Sequence, residues 1–291
     1  MSHTPVLLKE VIEFLDPRHG SFVIDGTIDG GGHSEEILKG IGPKGKLLGV
    51  DWDREMIARY KERMARKNVI LIEGNYADLP EILRRRKLGK ADGLTLDLGF
   101  SSEQLKHSER GFSFAKDEPL LMTYDSNRKP AKKILEELGE KELAKIIFEL
   151  SGEKFAMRIA KAIKERQKMN PIKTTRDLRE AVISAVPRNY EHGRIDPSTR
   201  TFQALRIYAN DELGNLRKVL ANLPKILKSG GRAVVISFHS LEDKIVKNSF
   251  RDLAKRGILK ILTKKPITAS KEEIMSNLRS RSAKLRAAEL I

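Results

Sequence analysis

The 291-residue chain contains no cysteine. That absence excludes disulfides, thiolate metal sites and a cysteine nucleophile, and it fits a reducing compartment. Long apolar runs are missing too, since no window approaches the roughly 18 uninterrupted apolar residues of a membrane span. A soluble, cytoplasmic protein is the expectation. The opening MSHTPVLLKEVIEFL interrupts its short apolar stretch with Lys9, Glu10 and Glu13 and shows neither a basic leader nor a small-residue cleavage pattern, so no signal peptide is expected. Internal repeats and low-complexity segments are absent. Two phosphate-binding patterns are lacking as well. The glycine cluster DGTIDGGGHSE (25–35) is not followed by the Lys-Ser/Thr pair of a P-loop, and the spacing G-x-G-x-x-G fails from Gly30 and from Gly26 alike.

What the chain has in excess is positive charge: 56 Lys and Arg stand against 40 Asp and Glu, a formal net charge of +16. Such a balance attracts a polyanion and suits nucleic acid better than a small neutral substrate. A surface rich in both signs is the plainer reading, because charged residues make up 33% of the chain. The distribution favours phosphate contact in the tail. From Lys255 to Ile291 ten bases face three acids, and SNLRSRSAKLR holds four bases and no acid.

Four β-like runs occupy the first hundred residues: FVIDGT (22–27), KLLGVDWD (46–53), NVILIEGNY (68–76) and ADGLTLDLG (91–99). The helix-like segments SEEILKGI, REMIARYKERMARK and LPEILRRRK separate them, which predicts parallel βαβ units. Right-handed crossovers then line up the carboxyl ends of the strands along one edge of the sheet. From 106 to 212 the pattern is helical throughout, with Thr175 as the expected N-cap of TTRDLREAVISAV. The alternation resumes with the helix NDELGNLRKVLANLPKIL, the connector KSGG and the strand RAVVISFHS. The expected architecture is an α/β domain made of 1–105 and 213–291, with an all-helical domain, 106–212, inserted after the fourth strand. One of GILKILT and SAKLRAAEL is expected to close the sheet antiparallel, and Lys264 to Asn277 reads as a mobile basic loop.

A lone glycine cluster is most simply a tight turn. Here Asp51 ends the second strand about 20 residues beyond the glycines, where an acid accepts the hydroxyl hydrogens of an adenosine ribose. Asp25, Asp29, Asp51 and Asp97 would crowd the same edge. Such a cluster repels a pyrophosphate and suits a cationic ligand without phosphate, S-adenosylmethionine. In this reading Tyr76 flanks the adenine, although a half-buried aromatic at a strand end explains it equally.

The stretch LTLDLGFSSEQL follows the fourth strand, where an acceptor should meet the methyl group. An exocyclic base amine is a poor nucleophile because its lone pair is delocalised. An acceptor such as the Asp97 carboxylate, bonded to its N–H, favours the reactive tetrahedral form. Phe100 is a candidate for stacking on an extruded base. Ser101, Ser102 and Gln104 offer hydrogen bonds to cofactor or base, or simply start a helix. His239, in ISFHSLED, either steers the base and takes its proton or caps the helix that follows. Within the insertion, Arg194, Arg200 and Arg206 beside Phe202 and Tyr208 suit RNA, while an amphipathic helix burying Phe202, Leu205 and Tyr208 is the alternative.

Together HTPVLL, DGTIDGGGHS, GVDWD, LDLGFSSEQL, ERGFSF, STRTFQALRI, GGRAVVISFHSLEDKIVK and RSRSAKLR resemble the RsmH/MraW family, bacterial methyltransferases acting on N4 of a cytidine in small-subunit (16S) ribosomal RNA. The resemblance implies a class I, Rossmann-like, S-adenosylmethionine-dependent methyltransferase fold with an inserted helical domain. It places the cofactor contacts on Gly31, Gly32, His33, Asp51, Tyr76, Asp97 and Gln104. Catalytic work falls on Asp97, Phe100 and His239, and no metal is expected. The partner is ribosomal RNA of the small subunit, with no membrane and no expectation for the oligomeric state. The chain departs from the family pattern where PLDMRMD is usual and Leu121 and Thr123 stand here, and where HPATRTFQA is common and this chain has Asp196. Other nucleic-acid substrates, DNA or transfer RNA, and a non-catalytic RNA-binding assembly factor are the alternatives.

Overall fold

The structure, a computed structural model, describes residues 5–63, 66–99, 109–125, 127–193 and 195–291. Phe100, Ser101, Ser102, Gln104 and Arg194 lie outside the described residues. The chain forms two compact units, Met1–Ser101 with Leu213–Ile291, and Ser102–Glu212.

The first unit is built on a seven-stranded sheet of order β3-β2-β1-β4-β5-β7-β6, with β1 Phe22–Asp25, β2 Lys46–Asp51, β3 Val69–Glu73, β4 Ala91–Asp97, β5 Leu227–Ser237, β6 Leu259–Ile261 and β7 Lys284–Leu290. The first five strands pair in parallel; β7 runs antiparallel to both β5 and β6. Side chains alternate between the faces of a strand, and here each face is covered by helices. Val23, Leu47, Val234 and Ile236 meet residues of the helices Leu8–Leu15, Gly32–Ile41 and Arg54–Arg63 on one side. Ile24, Leu48, Leu94 and Val235 meet Leu79–Arg86, Glu212–Ala221 and Ser240–Lys255 on the other. A sheet buried on both faces explains why the strands read as nearly continuous apolar runs. It also explains why acids at their ends stand out.

Two expectations about loops are corrected. KSGG is not a connector: it lies inside β5, which pairs Leu227 with Ala91 and then shifts register so that Arg232 faces Gly93. The extra residues make a bulge, where Gly230 takes the left-handed φ of 77°. The stretch from 264 to 277 is not simply a loop, because Ile267 and Leu285 exchange backbone hydrogen bonds of 2.9 and 2.8 Å and Lys271–Ser276 is helical. Of the two tail segments, SAKLRAAEL closes on β5 antiparallel as β7, in line with the expectation, and GILKILT adds β6 beyond it.

The regular elements of the second unit's described residues are helices, which begin at Ala131; residues 109–125 and 127–130 are irregular apart from an isolated bridge between Pro119 and Thr174. Its core gathers Leu143 and Ile147, Ile159 and Ile163, Leu178 and Val182, and Phe202 and Leu205, from the helices Glu140–Ser151, Ala156–Met169, Thr175–Ala185 and Thr199–Asn210. The helix at Thr175 is capped by the residue before it: Thr174 Oγ1 accepts from Asp177 N–H at 3.3 Å. Thr175 is buried and donates its hydroxyl to the Lys116 carbonyl at 2.6 Å. None of the described helices is long and apolar enough to cross a membrane.

Candidate active site

The carboxyl ends of β1, β2 and β4 lie side by side, and the glycine turn is stitched between them. Asp25 ends β1 and folds back on its own loop, accepting Thr27 N–H at 3.2 Å and the Ser34 hydroxyl at 2.6 Å. Thr27 Oγ1 in turn accepts Asp97 N–H at 2.6 Å, tying the turn to β4. Asp51, at the end of β2, accepts Asp29 N–H at 3.1 Å and Asp53 N–H at 2.8 Å, tying it to β2. The turn is held on the β2 side by the Asp51 carboxylate accepting its backbone, and on the β4 side by its own Thr27 hydroxyl oxygen accepting the strand's backbone.

Its glycines make room for protein atoms. Gly31 has φ 78°, and a Cβ there would sit 1.8 Å from the Tyr60 ring. At Gly32 a Cβ would meet the Pro5 ring at 2.9 Å. His33, expected at the cofactor, is buried at the start of the following helix, with Nε2 2.9 Å from the Val6 carbonyl oxygen and Nδ1 3.7 Å from Asp97 Oδ2.

Asp25, Asp51 and Asp97 are buried and Asp29 is half-buried. Burial disfavours the charged carboxylate and so raises its pKa. It pushes Asp25 and Asp51 up to about 6, against the hydrogen bonds they accept. Asp29 is raised well above the usual range by burial and by the neighbouring Asp51 and Asp97. Asp97 reaches about 7, through burial first, with the Arg279 guanidinium pulling it down and Glu242 pushing it up. Each oxygen of Asp51 keeps a second lone pair for a ligand. Asp97 Oδ1 is buried with no hydrogen-bond partner. A lone carboxylate oxygen out of water calls for a donor.

Tyr76 follows β3 and is buried, its ring 5.7 Å from that of Trp52 in an edge-to-face arrangement at 71°. His239 is the N-cap of Ser240–Lys255: its Nδ1 accepts Glu242 N–H at 3.4 Å, and Nε2 lies 3.2 Å from Glu242 Oε1 without hydrogen-bond alignment. The structure thus brings Gly31, Gly32, His33, Asp51, Tyr76 and Asp97 to one edge and turns the His239 ring to its own helix.

Against this geometry, a family model described as the MraW methylase family matches residues 1–291. The chain belongs to that family. Proteins named ribosomal RNA small subunit methyltransferase H are 48% identical in Thermotoga neapolitana over 99% of this chain and 96% of that protein. The one from Geotalea uraniireducens is 46% identical over 99% and 98%. In Synechocystis the values are 46%, over 99% and 93%. The class I, Rossmann-like arrangement expected of an MraW methylase is present in the parallel sheet and its antiparallel β7.

Several residues of this MraW chain were not legible as site residues. Trp52 and Thr27 signal themselves only by lying next to an acid or a glycine at a strand end. Glu242 and Arg279 act on Asp97 by charge from distant sequence, and no local pattern announces that. The basic tail is also partly misread. Arg286 is buried in β7 and donates to Asp243 at 2.6 and 3.3 Å, so it is not a phosphate contact. Within the helical unit, Phe202 and Leu205 are buried but Tyr208 is 41% exposed, which leaves it available to a partner. Arg206 pairs with Glu212 at 2.8 Å, and Arg200 donates to the Tyr190 hydroxyl at 2.8 Å. The departure Asp196 is structurally satisfied, receiving both Arg179 Nε at 3.0 Å and Nη2 at 2.7 Å.

Proposed function

We propose that this methylase transfers a methyl group from S-adenosylmethionine to the N4 amine of a cytidine in small-subunit ribosomal RNA. The observation that carries the reading is the unpartnered Asp97 Oδ1 at the end of β4, beside three further carboxylates. Four acids suit a cationic donor and refuse a diphosphate. When bound, S-adenosylmethionine supplies a methyl group activated by a sulfonium. Asp51 is the acceptor for the ribose hydroxyls, the turn at Gly31 and Gly32 shapes the wall, and Tyr76, backed by Trp52, flanks the adenine. Asp97 Oδ1 accepts the amine N–H, which turns the nitrogen lone pair out of conjugation. Phe100 and Gln104 keep the roles of base stacking and cofactor contact. Proton handling goes to Asp97, because the His239 ring is engaged as a cap. Positioning and charge supply the rate, and without cysteine no thiol adduct is formed.

The relatives' names support ribosomal RNA as substrate, as does the net charge of +16. RNA recognition belongs, in this reading, to the helical insertion 106–212, which exposes Phe148, Met157 and Tyr208. The test is incubation with isotopically labelled donor and 30S particles, naked ribosomal RNA, transfer RNA or DNA, followed by digestion to nucleosides. Label in N4-methylcytidine from the ribosomal substrates is expected. Label in DNA or transfer RNA alone would change the substrate, and no label anywhere would make the chain a binding factor.

A further inference from the structure

His33 Nε2 faces a backbone carbonyl, which only accepts, so this nitrogen carries the ring proton. A neutral imidazole has one such proton, and Nδ1 is left with a lone pair. That lone pair faces Asp97 Oδ2 at 3.7 Å, a few tenths of an ångström beyond a hydrogen bond, with side chains only 7% and 5% exposed. Two acceptors facing one another in so largely buried a place repel unless a proton lies between them. The other carboxylate oxygen, Oδ1, has no partner.

We propose that His33 acts through Asp97 as its positioning residue: anchored on the Val6 carbonyl, it shares one proton with Oδ2, keeps Oδ1 as a pure acceptor, and takes up the proton the substrate amine gives up. The inference rests on the methyltransferase reading of the site. In the transfer the amine lone pair forms the new N–C bond, and the donor's C–S bond breaks with its electron pair left on sulfur. The surplus nitrogen proton moves to Asp97 Oδ1 while the Oδ2 proton passes to His33 Nδ1. One proton is stored, and charge balances.

The surroundings agree with a proton held there. Asp25 and Asp29 lie at the glycine turn, Glu242 at the start of Ser240–Lys255 and Glu273 in the tail helix, where Glu273 Oε1 also accepts Leu7 N–H at 2.8 Å. These carboxylates favour a protonated pair; Arg279 opposes them. Burial holds His33 below its ordinary value and lifts Asp97 to about 7, which puts the shared proton on the carboxyl side near neutrality.

The experiment uses the full chain without ligand, with nitrogen-15 histidine and carbon-13 aspartate labels. His33 is expected as the Nε2–H tautomer with a bare Nδ1 between pH 6 and 9. In His33→Gln the amide still donates to the Val6 carbonyl but offers no base. The Asp97 titration should then fall by about one pH unit, the value of one lost hydrogen bond to the protonated form. Methyl transfer in a single turnover should drop about 100-fold with its pH limb displaced, the size of a general-base contribution, while affinity for adenosylhomocysteine stays within twofold. A proton found on Nδ1, an unmoved Asp97 titration, or a loss confined to cofactor affinity would overturn the proposal. Should His33→Gln fail to fold, the tautomer in the unaltered protein decides alone. Failure of the unaltered protein to methylate any nucleic acid would sink the functional reading yet leave tautomer and titration to be judged separately.

Discussion

Replacing Asp97 with asparagine should make the protein more stable at pH 8 while abolishing its chemistry. Unfolded, the carboxyl releases its proton near 3.8; in the native state burial delays release to about 7. Between those values the native state binds one more proton than the unfolded chain, so this group's contribution to stability falls as pH rises and is fully unfavourable above about 7. About three pH units at about 1.4 kcal/mol each give a penalty on the order of 4 kcal/mol. The attraction of Arg279 is already inside that value and is not subtracted twice. Asparagine is neutral throughout, has the same shape, and its amide donates to the bare Nδ1 of His33. The stability gap between Asp97→Asn and the unaltered protein should therefore be near zero at pH 4 and grow to between about 1 and 4 kcal/mol at pH 8. Urea unfolding followed by tryptophan emission reads it cleanly. Trp52 is the chain's single tryptophan and packs on Tyr76 in the same unit as Asp97, so the signal belongs to the right part of the molecule. A gap that does not change with pH, or a variant weaker than the parent at pH 8, would refute the account of the acid edge.

Arg286→Ala should lose about 1–3 kcal/mol in the same denaturation assay by removing two charge-assisted hydrogen bonds from half-buried Asp243, which keeps Lys284 at 3.8 Å, whereas the exposed Arg281→Ala should cost less than about 0.5. The salt dependence of RNA binding should flatten by about one ion for Arg281→Ala, and an unchanged slope would remove Arg281 from the phosphate contacts. Gly31→Ala and Gly89→Ala both force a side chain into a left-handed φ, but only at Gly31 does the new Cβ strike a ring. Gly89→Ala should cost about 1 kcal/mol and Gly31→Ala clearly more; equal midpoints would show that Tyr60 yields freely. Asp51→Ala should weaken adenosylhomocysteine binding by about 1–3 kcal/mol in calorimetry, since ribose acceptors are lost. Unaltered affinity would take Asp51 out of the donor site.

The strands that carry the site were legible because a parallel sheet covered on both faces is written as apolar runs, and a polar residue at the end of such a run has few reasons to be there. Asp25, Asp51 and Asp97 announced themselves in that way. Legibility failed where a residue's meaning depends on a partner far along the chain. KSGG has the composition of a turn, yet pairing of Leu227 with Ala91 draws it into β5 as a bulge. Arg286 belongs to a basic run, but pairing of β7 with β5 carries it to Asp243. The resemblance places Gly31 and Gly32 at the cofactor, but the neighbours that bar a side chain at each, Tyr60 and Pro5, are not written in the local sequence. Thr174 and Thr175 are adjacent and of the same helix-capping type; the hydrogen bond from the Thr175 hydroxyl to the Lys116 carbonyl chooses between them.

The two charge features of the chain act at different ranges, and that difference resolves their apparent conflict. An excess of 16 positive charges attracts a polyanion, but at physiological salt each exposed charge is felt over only about 8 Å. At contact distance the buried acids dominate their own edge. A nucleic-acid phosphate brought there would meet carboxylates that favour a cation and have little water to screen them. A neutral base meets no such barrier, and in the proposed function its amine would supply the donor that Asp97 Oδ1 lacks. In the proposed function the basic surface would therefore gather the RNA, and the acidic edge would admit its base while holding the backbone away. The same carboxylates whose ionisation costs stability at neutral pH become favourable once a cation lies beside them, so ligand binding should recover part of what the empty edge loses.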